Sequence, residues 1–169
     1  MHTVKNKFHH LSAGYTIVEL LMFMGLFSMF LVLLTNMFAT ILETQQRSLA
    51  TSYVEQTGRF VLSRLLYDIH QADVVVTPAS LGDETSTLEL QISGADHTYA
   101  LTGSNLVLTD DEGAYVVNAD QVTISNFLVR RIGNVGGKPT LQFSFDVNST
   151  IPDTTGIQSR NFSTTVGLR

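Results

Sequence analysis

The 169-residue sequence contains no cysteine, so no disulfide bond, cysteine nucleophile or thiolate metal ligand can form within it. Proline is scarce as well, with three residues, and none of them precedes Pro78. Because proline is the residue that most strongly interrupts a helix, nothing before that position forces a helix to end early. An exported domain built from this chain has to be stabilised without a covalent cross-link.

Charge is missing from one long stretch. No charged side chain occurs from Leu20 to Leu42, and about 20 apolar residues are enough for a helix to cross a bilayer. Glu19 stands directly ahead of this stretch, and an ionisable group at the centre of such a helix costs roughly 2.5 to 3.5 kcal/mol. We therefore expect Glu19 to have a positive partner. The nearest candidate is the α-amino group that would form if the chain were cut after Gly14.

The residues ahead of Gly14 favour that cut. Residues 1–14 contain Lys5 and Lys7 and no acid. An ordinary secretory signal has its apolar core before the cleavage site, whereas here the apolar segment follows it and would stay in the mature protein. The positive-inside rule places the basic leader in the cytoplasm and the chain after residue 43 outside.

The segment from Gly14 to Leu21, with the sequence GYTIVELL, resembles the prepilin motif of type IV pilins and of the pseudopilins of type II secretion. The resemblance implies cleavage between Gly14 and Tyr15 by a membrane prepilin peptidase, followed by N-methylation of Tyr15. It also implies that Glu19, at the fifth position of the mature chain, acts in assembly. Tyr15 stands where phenylalanine is commonest in the family. The alternative is a plain single-pass anchor with Glu19 at the level of the lipid headgroups.

Several features favour a minor pilin or pseudopilin over a major pilin. Many major pilins carry a cysteine pair, which this chain lacks, and a helix-bending proline where it has Asn36. Residues 64–72 and 162–169 are similar to the helix end and the last strand of the J-type minor pseudopilins. These similarities imply a subunit present in few copies.

The apolar pattern predicts one long helix from about Tyr15 to about Ala72. Its first part, 15–42, is the expected transmembrane and assembly helix, and its second part, 43–72, is amphipathic. Apolar residues recur there at helical spacing, with polar residues such as Asp68 between them. We expect this stripe to pack on a sheet, with Tyr53 and Phe60 in the core. Its members are Leu49, Tyr53, Phe60, Leu65 and Ile69.

After Val74 the period of the pattern falls to two, which is typical of strands. Gly103-Ser104 and Asp110–Gly113 are turn signals, and the first is tight enough for a hairpin. The sequence therefore predicts an α+β fold of pilin-like design, with the helix packed on an antiparallel β-sheet head over residues 73–169. The expected strands are Leu88–Ile92, Thr98–Leu101, Asn105–Leu108, Tyr115–Val117, Val122–Val129, Leu141–Val147 and Asn161–Val166.

A catalytic or metal site is not apparent. Only His70 and His97 remain after the leader, and neither lies near a serine in a glycine elbow. We expect His97 to be a solvated residue in a turn between two strands. The acidic run of Asp110, Asp111 and Glu112 offers the oxygen ligands that calcium takes, although such a run is more often a solvated turn. We expect no cofactor.

The balance of charge argues against nucleic acid as a partner. The formal net charge is −5, and without Lys5 and Lys7 eight basic residues face fifteen acids, which gives about −7. Binding to phosphates needs a cationic surface. Arg130-Arg131 is the one paired basic site, and we expect it to be exposed at a strand end.

The sequence as a whole indicates a structural, non-enzymatic subunit that is held in the cytoplasmic (inner) membrane by a single span and then assembled into an envelope or surface filament. The expected partners are the prepilin peptidase, other pilins or pseudopilins, the assembly platform protein and membrane lipid. One alternative is a tip subunit that binds a ligand in adhesion or DNA uptake. Another is an anchored extracytoplasmic enzyme. The sequence does not distinguish secretion from pilus or competence systems.

Overall fold

A computed structural model describes residues 14–151 and 156–168. Of the predicted leader, only Gly14 lies within the described residues. These residues form one helix and nine strands. The helix α1 spans Ile17–Gln71, and the strands are β1 (Val74–Thr77), β2 (Glu84–Thr85), β3 (Thr87–Ile92), β4 (Ala95–Thr102), β5 (Asn105–Asp110), β6 (Gly113–Val116), β7 (Val122–Ile132), β8 (Thr140–Ser149) and β9 (Ser159–Gly167).

The chain divides into two compact units, Met1–Leu42 and Glu43–Arg169. In the first unit every described residue is exposed, and nearly all of them belong to the first part of α1. The second unit contains the rest of the helix, all the strands and the whole buried core. The predicted α+β class, with the second part of the helix packed on antiparallel strands, is confirmed.

The strands form two antiparallel sheets instead of one continuous sheet. The first has the order β1-β3-β4-β5-β6 and the second the order β2-β7-β8-β9. In the first sheet β3, β4, β5 and β6 follow one another along the chain, and two-residue turns connect them. The two short strands β1 and β2 lie at one outer edge of each sheet, and β6 and β9 lie at the other.

Tight turns set the register of the first sheet. Gly103, with a φ of 64°, starts the two-residue turn between β4 and β5, as its sequence predicts. A second two-residue turn at Ser93 and Gly94 has positive φ at both residues, which is the geometry of a type I′ hairpin. Because β4 therefore begins at Ala95, the prediction that His97 occupies a turn is wrong. His97 lies within β4 and pairs with Leu90 of β3.

The buried face of α1 differs from the predicted stripe. Tyr53 is partly buried and packs against the core, but Phe60 is 57% exposed and Leu49 is 52% exposed. The prediction that Phe60 is a core residue is therefore wrong, because each residue turns the helix by about 100° and the sheets cover the neighbouring face. That face consists of Ala50, Val54, Thr57, Gly58, Val61, Leu65, Asp68 and Ile69.

Gly58 lets α1 approach β9 closely. A Cβ atom at this position would lie 2.1 Å from Cζ of the Phe162 ring, so no side chain fits between the helix and the ring. The ring is stacked on Phe145, with 5.7 Å between their centroids. Beside it, Arg160 of β9 forms an ion pair with Glu55 of the helix. Since this contact needs the missing side chain, the glycine is part of the packing and is not merely tolerated in the helix.

Asn118 lies between β6 and β7, and its side chain forms hydrogen bonds to both sheets. Its Oδ1 accepts a hydrogen bond from the backbone N–H of Leu106 at 2.8 Å, and its Nδ2 donates to the carbonyl of Val122 at 2.9 Å. The side chain is buried, so these bonds satisfy backbone groups that water cannot reach. Asn118 therefore connects β5 of the first sheet to the start of β7 in the second.

Candidate processing and assembly segment

The segment from Gly14 to Glu19 ends in the first turn of α1. The helix begins at Ile17, two residues after the predicted start, because Thr16 caps it. The hydroxyl of Thr16 accepts a hydrogen bond from the backbone N–H of Glu19 at 3.3 Å, and the carbonyl of Thr16 accepts one from the N–H of Leu20 at 3.1 Å. Thr16 and Glu19 have the spacing of a capping box. The roles predicted for this motif did not include the cap, although its Thr-x-x-Glu spacing is a sequence signature of one.

Gly14 and Tyr15 precede the helix and are exposed. A Cβ atom added to Gly14 would meet nothing within 4 Å. The peptide bond between Gly14 and Tyr15 is therefore open on all sides within the described residues. Tyr15, Glu19 and Phe23 also line a shallow cavity of about 340 Å³, which brings the expected cleavage point and the acidic residue to one place.

Glu19 lies at the start of an apolar surface. Every residue from Ile17 to Leu42 is exposed, and Glu19 is the only charged one among them. No ion pair of Glu19 occurs within the described part of the chain. By length and composition this helix could cross a membrane. The carboxylate therefore stands at the boundary of a surface that water does not solvate well, free to meet a cation.

In the second unit, the most perturbed group is one that the sequence did not single out. The hydroxyl of Tyr99 on β4 donates a short hydrogen bond to the carboxylate of Asp68 on α1, and both side chains are buried. The Nε of Arg64 donates to the same carboxylate at 3.1 Å. Burial, followed by the hydrogen bond to Asp68, raises the pKa of Tyr99 well above its usual range.

This buried network is structural. The hydrogen bond to Tyr99 is the largest influence on Arg64 and raises the pKa of its guanidinium. The three groups satisfy each other's polar atoms and connect the helix to the first sheet. A signal was available in the sequence, since Asp68 follows Val61 and Leu65 at the spacing of the buried face. A carboxylate on such a face indicates a buried partner.

Arg131 holds a loop together and does not offer a free charge. Its Nη1 donates to the carbonyl oxygens of Val75, Pro78 and Ala79 at 3.5, 3.2 and 2.8 Å. The prediction that Arg130 and Arg131 are both exposed is therefore correct for one of the two residues. Arg130 is exposed, whereas Arg131 is partly buried and fastens the connection between the two sheets.

The acidic run forms the turn between β5 and β6. The carboxylate of Asp110 accepts hydrogen bonds from the backbone N–H groups of Glu112 and Gly113 at 2.9 and 3.1 Å. Its oxygen is therefore already used to close the turn. No group of three or more His, Asp or Glu residues in the described part of the chain is arranged to hold a metal ion. Tyr115 lies next to this turn. Desolvation raises the pKa of its hydroxyl, and the negative charges of Asp110 and Glu112 raise it further.

An apolar groove runs between α1 and β6. Its walls include Phe60, Tyr115, Val116 and Val117, and its volume at this end is about 280 Å³. A second depression of about 320 Å³ shares Phe60 and Val117 and continues towards Tyr53. Because β6 is the last strand of its sheet, its outer edge has no strand partner among the described residues. This surface was not predicted from the sequence, because Phe60 was expected to be a core residue.

Comparisons with family models, with curated proteins and with solved structures gave no match for this chain. The architecture itself, one long N-terminal apolar helix whose second part packs on antiparallel sheet, is pilin-like.

Proposed function

We propose that the chain is a structural subunit, a minor pilin or pseudopilin, of a type IV filament system. One observation carries the proposal. An exposed apolar helix without charge, from Leu20 to Leu42, is preceded by an open Gly14–Tyr15 bond and a single carboxylate at Glu19. Together with a pilin-like helix and sheet, this arrangement supports a subunit that is stored in a membrane and transferred to a protein assembly.

In this proposal, processing creates the partner that Glu19 needs. Cleavage after Gly14 gives Tyr15 a positive amine, and N-methylation leaves the nitrogen basic, so that the charge persists at neutral pH. The cap uses the hydroxyl of Thr16 and the backbone N–H of Glu19, and leaves the carboxylate available. When subunits leave the bilayer, pairing Glu19 with the amine of a neighbour avoids two uncompensated charges in an apolar bundle.

The location follows from the same segment. The basic leader stays in the cytoplasm, the helix crosses the inner membrane once, and residues 43–169 lie outside. The prepilin peptidase, a platform protein, membrane lipid and other pilin-like subunits are the partners in this scheme. It needs no cofactor and no catalytic group, and the acidic head is unsuited to nucleic acid.

The first experiment tests processing. Gly14→Val should block the cut, because a branched side chain would crowd an extended backbone in a narrow peptidase site. Gly25→Val is the matched control, since it places the same side chain in open space within α1, away from the expected cleavage point. We expect intact mass spectrometry to find wild type and the control without residues 1–14 and beginning with N-methyl-tyrosine, and the Gly14 variant uncut. A wild-type chain that keeps Met1, or is cut beyond Leu34, would refute the proposal.

The second experiment tests assembly. Glu19→Leu should still be processed but should enter filaments poorly, because the amine of the neighbour loses its counter-charge. Glu43→Leu removes the next acid along the same helix and should enter normally. The measurement is the ratio of the chain in sheared filaments to the chain in membranes. Normal incorporation of the Glu19 variant would exclude this residue from assembly.

A further inference from the structure

Two asparagines of the chain are followed by a hydroxyl residue two positions later. Asn148 begins the sequence NST, and Asn161 begins the sequence NFS. In an exported chain, the pattern Asn-x-Ser/Thr with x other than proline is the acceptor pattern for an N-linked glycan. A glycan is bulky and hydrated. Exposure in the folded head therefore decides which of the two asparagines can carry one.

Asn161 lies on the outer face of the second sheet. Along β9 the buried residues are Phe162 and Val166, which point into the core, whereas Asn161 and Ser163 are both exposed. Since side chains alternate between the two faces of a strand, the amide and the hydroxyl of the pattern both remain on the solvent side after folding. A sugar attached to this amide requires no change in the core.

The amide of Asn161 keeps one N–H group for a sugar. Its Nδ2 donates a hydrogen bond to Oδ1 of Asp146 on β8, at 2.7 Å. A primary amide carries two such hydrogens, and N-glycosylation replaces only one of them. The hydrogen bond to Asp146 therefore survives the modification, and it fixes the direction in which the sugar leaves the sheet.

Asn148 is the poorer acceptor. It lies on β8, between β7 and β9, and is only partly exposed. Its Nδ2 donates to Oγ of Ser125 at 3.0 Å. Because its direct partner on β9 is Ser159, Asn148 is a diagonal neighbour of Asn161. Side chains in this relation are about 7 to 8 Å apart, so a glycan on one leaves little room for a glycan on the other.

The strand that carries Asn161 is an open edge. β9 is the last strand of its sheet, and its outer side has no strand partner among the described residues. Its nine residues include no proline and a single charged residue, Arg160. Long edges with so little charge invite pairing with a strand of another molecule, and proteins prevent this with charge, proline, bulges or a cover. A hydrated glycan on this strand supplies such a cover.

We propose that Asn161 carries an N-linked glycan, transferred by a membrane glycosyltransferase from a sugar linked to a polyprenyl phosphate lipid. Nδ2 of Asn161 bonds to C1 of the sugar, the bond between C1 and the phosphate oxygen breaks, and the lipid phosphate leaves with the bonding electrons. A base of the enzyme takes the amide proton. Because the acceptor meets this donor outside the cytoplasm, the inference rests on the topology of the proposed function, and it adds a modification of the head.

Mass spectrometry of the full chain, purified from membranes of its native host, tests the site. A protease that cleaves before aspartate places the two acceptor patterns in separate peptides, 146–152 and 153–169. We expect a sugar mass on peptide 153–169, which electron-transfer fragmentation assigns to Asn161. Asn161→Gln should remove this mass completely. Asn134→Gln is the matched control and should keep it, because Asn134 is exposed but lies outside the pattern.

The hydroxyl of Ser163 tests the acceptor pattern without a change at the asparagine. Ser163→Ala destroys the pattern, so the sugar should be lost, whereas Ser163→Thr preserves the pattern and should retain it. Because Ser163 is exposed, we expect both variants to remain folded, and circular dichroism checks this.

Three results would overturn the inference: an unmodified peptide 153–169, a sugar that persists in Ser163→Ala, or a sugar on peptide 146–152 alone. The same spectra separate the inference from the filament proposal. A chain that lacks residues 1–14 and carries no sugar loses only this inference. A glycosylated chain that keeps residues 1–14 loses only the proposed processing.

Discussion

Replacing Gly58 with alanine should destabilise the head even though alanine is the better helix former. In an open helix the change would gain about 1 kcal/mol. Here the new Cβ would lie 2.1 and 2.2 Å from two ring carbons of Phe162. That ring cannot retreat easily, because Phe145 stacks on it. Overpacking of this kind typically costs about 1 to 3 kcal/mol, so we expect a net loss of about 1 kcal/mol in the free energy of unfolding.

A double-mutant cycle tests the reason as well as the result. With Phe162→Ala in place the clash disappears, and Gly58→Ala should then stabilise the chain by up to about 1 kcal/mol. The effect of one substitution should therefore change sign, with a coupling energy of about 2 kcal/mol. Gly25→Ala is the matched control, because its Cβ would meet nothing within 4 Å.

The measurement is thermal unfolding of the full chain in mild detergent, followed by the near-ultraviolet circular dichroism of the tyrosines. A loss of 1 kcal/mol corresponds to a decrease in Tm of about 2 to 4 °C for a chain of this size. If Gly58→Ala melts at or above the wild-type temperature, the helix does not approach β9 as described. The same conclusion would follow if Phe162→Ala left the effect of the alanine unchanged.

Three further outcomes follow from the head. Burial and the hydrogen bond to Asp68 raise the pKa of Tyr99, so the stability that Tyr99 contributes is complete below the pKa of the unfolded chain, about 10, and is lost as the pH rises above that value. Tm measured from pH 9 to 12 should therefore fall more steeply for wild type than for Tyr99→Phe, and parallel curves would refute this. Asn118→Leu should cost about 2 to 4 kcal/mol in urea unfolding, because it leaves a buried backbone donor and acceptor without partners, and a cost below 1 kcal/mol would argue against their burial. Glu55→Gln should cost less than about 1 kcal/mol, since its partner Arg160 is 59% exposed, and this cost should vanish in high salt.

The sequence predicts where the helix and the strands lie better than it predicts which side of the helix is buried. Alternation located most of the strands, and the absence of proline predicted a helix that ends within a residue of the observed end at Gln71. The start of β4 was missed because residues 95–98 are mostly polar, and the positive φ of Ser93 has no strong signal in a serine. His97 lies in that strand, and its buried Nδ1 atom has no hydrogen-bond partner in the described residues.

The helix face was mispredicted for a different reason. Two apolar stripes run side by side along the second part of α1, one through Val61 and Leu65 and the other through Tyr53 and Phe60. The predicted stripe combined the two, because it took Leu65 from the first and Tyr53 and Phe60 from the second. What decides the packing is the contact of Gly58 with Phe162, two residues that are far apart in sequence, and no local pattern records such a contact. The predictions for Gly14, Tyr15 and Glu19 depend on a short local motif, because these residues all lie within one helical turn and its approach, and their roles stay predictions.

The position of Phe162 in the last strand has a consequence for how the chain is made. Ribosomes synthesise α1 before β9, so the helix face around Gly58 lacks the Phe162 ring until all the intervening strands have been made. The first sheet can form from consecutive hairpins as they appear, because its contacts are mostly local. In the second sheet β9 joins last, and with it comes the contact of Phe162 that covers the helix at Gly58. We therefore expect a chain that stops before Ser159 to reach its destination with an uncovered apolar strip, and to be removed by proteases or to aggregate.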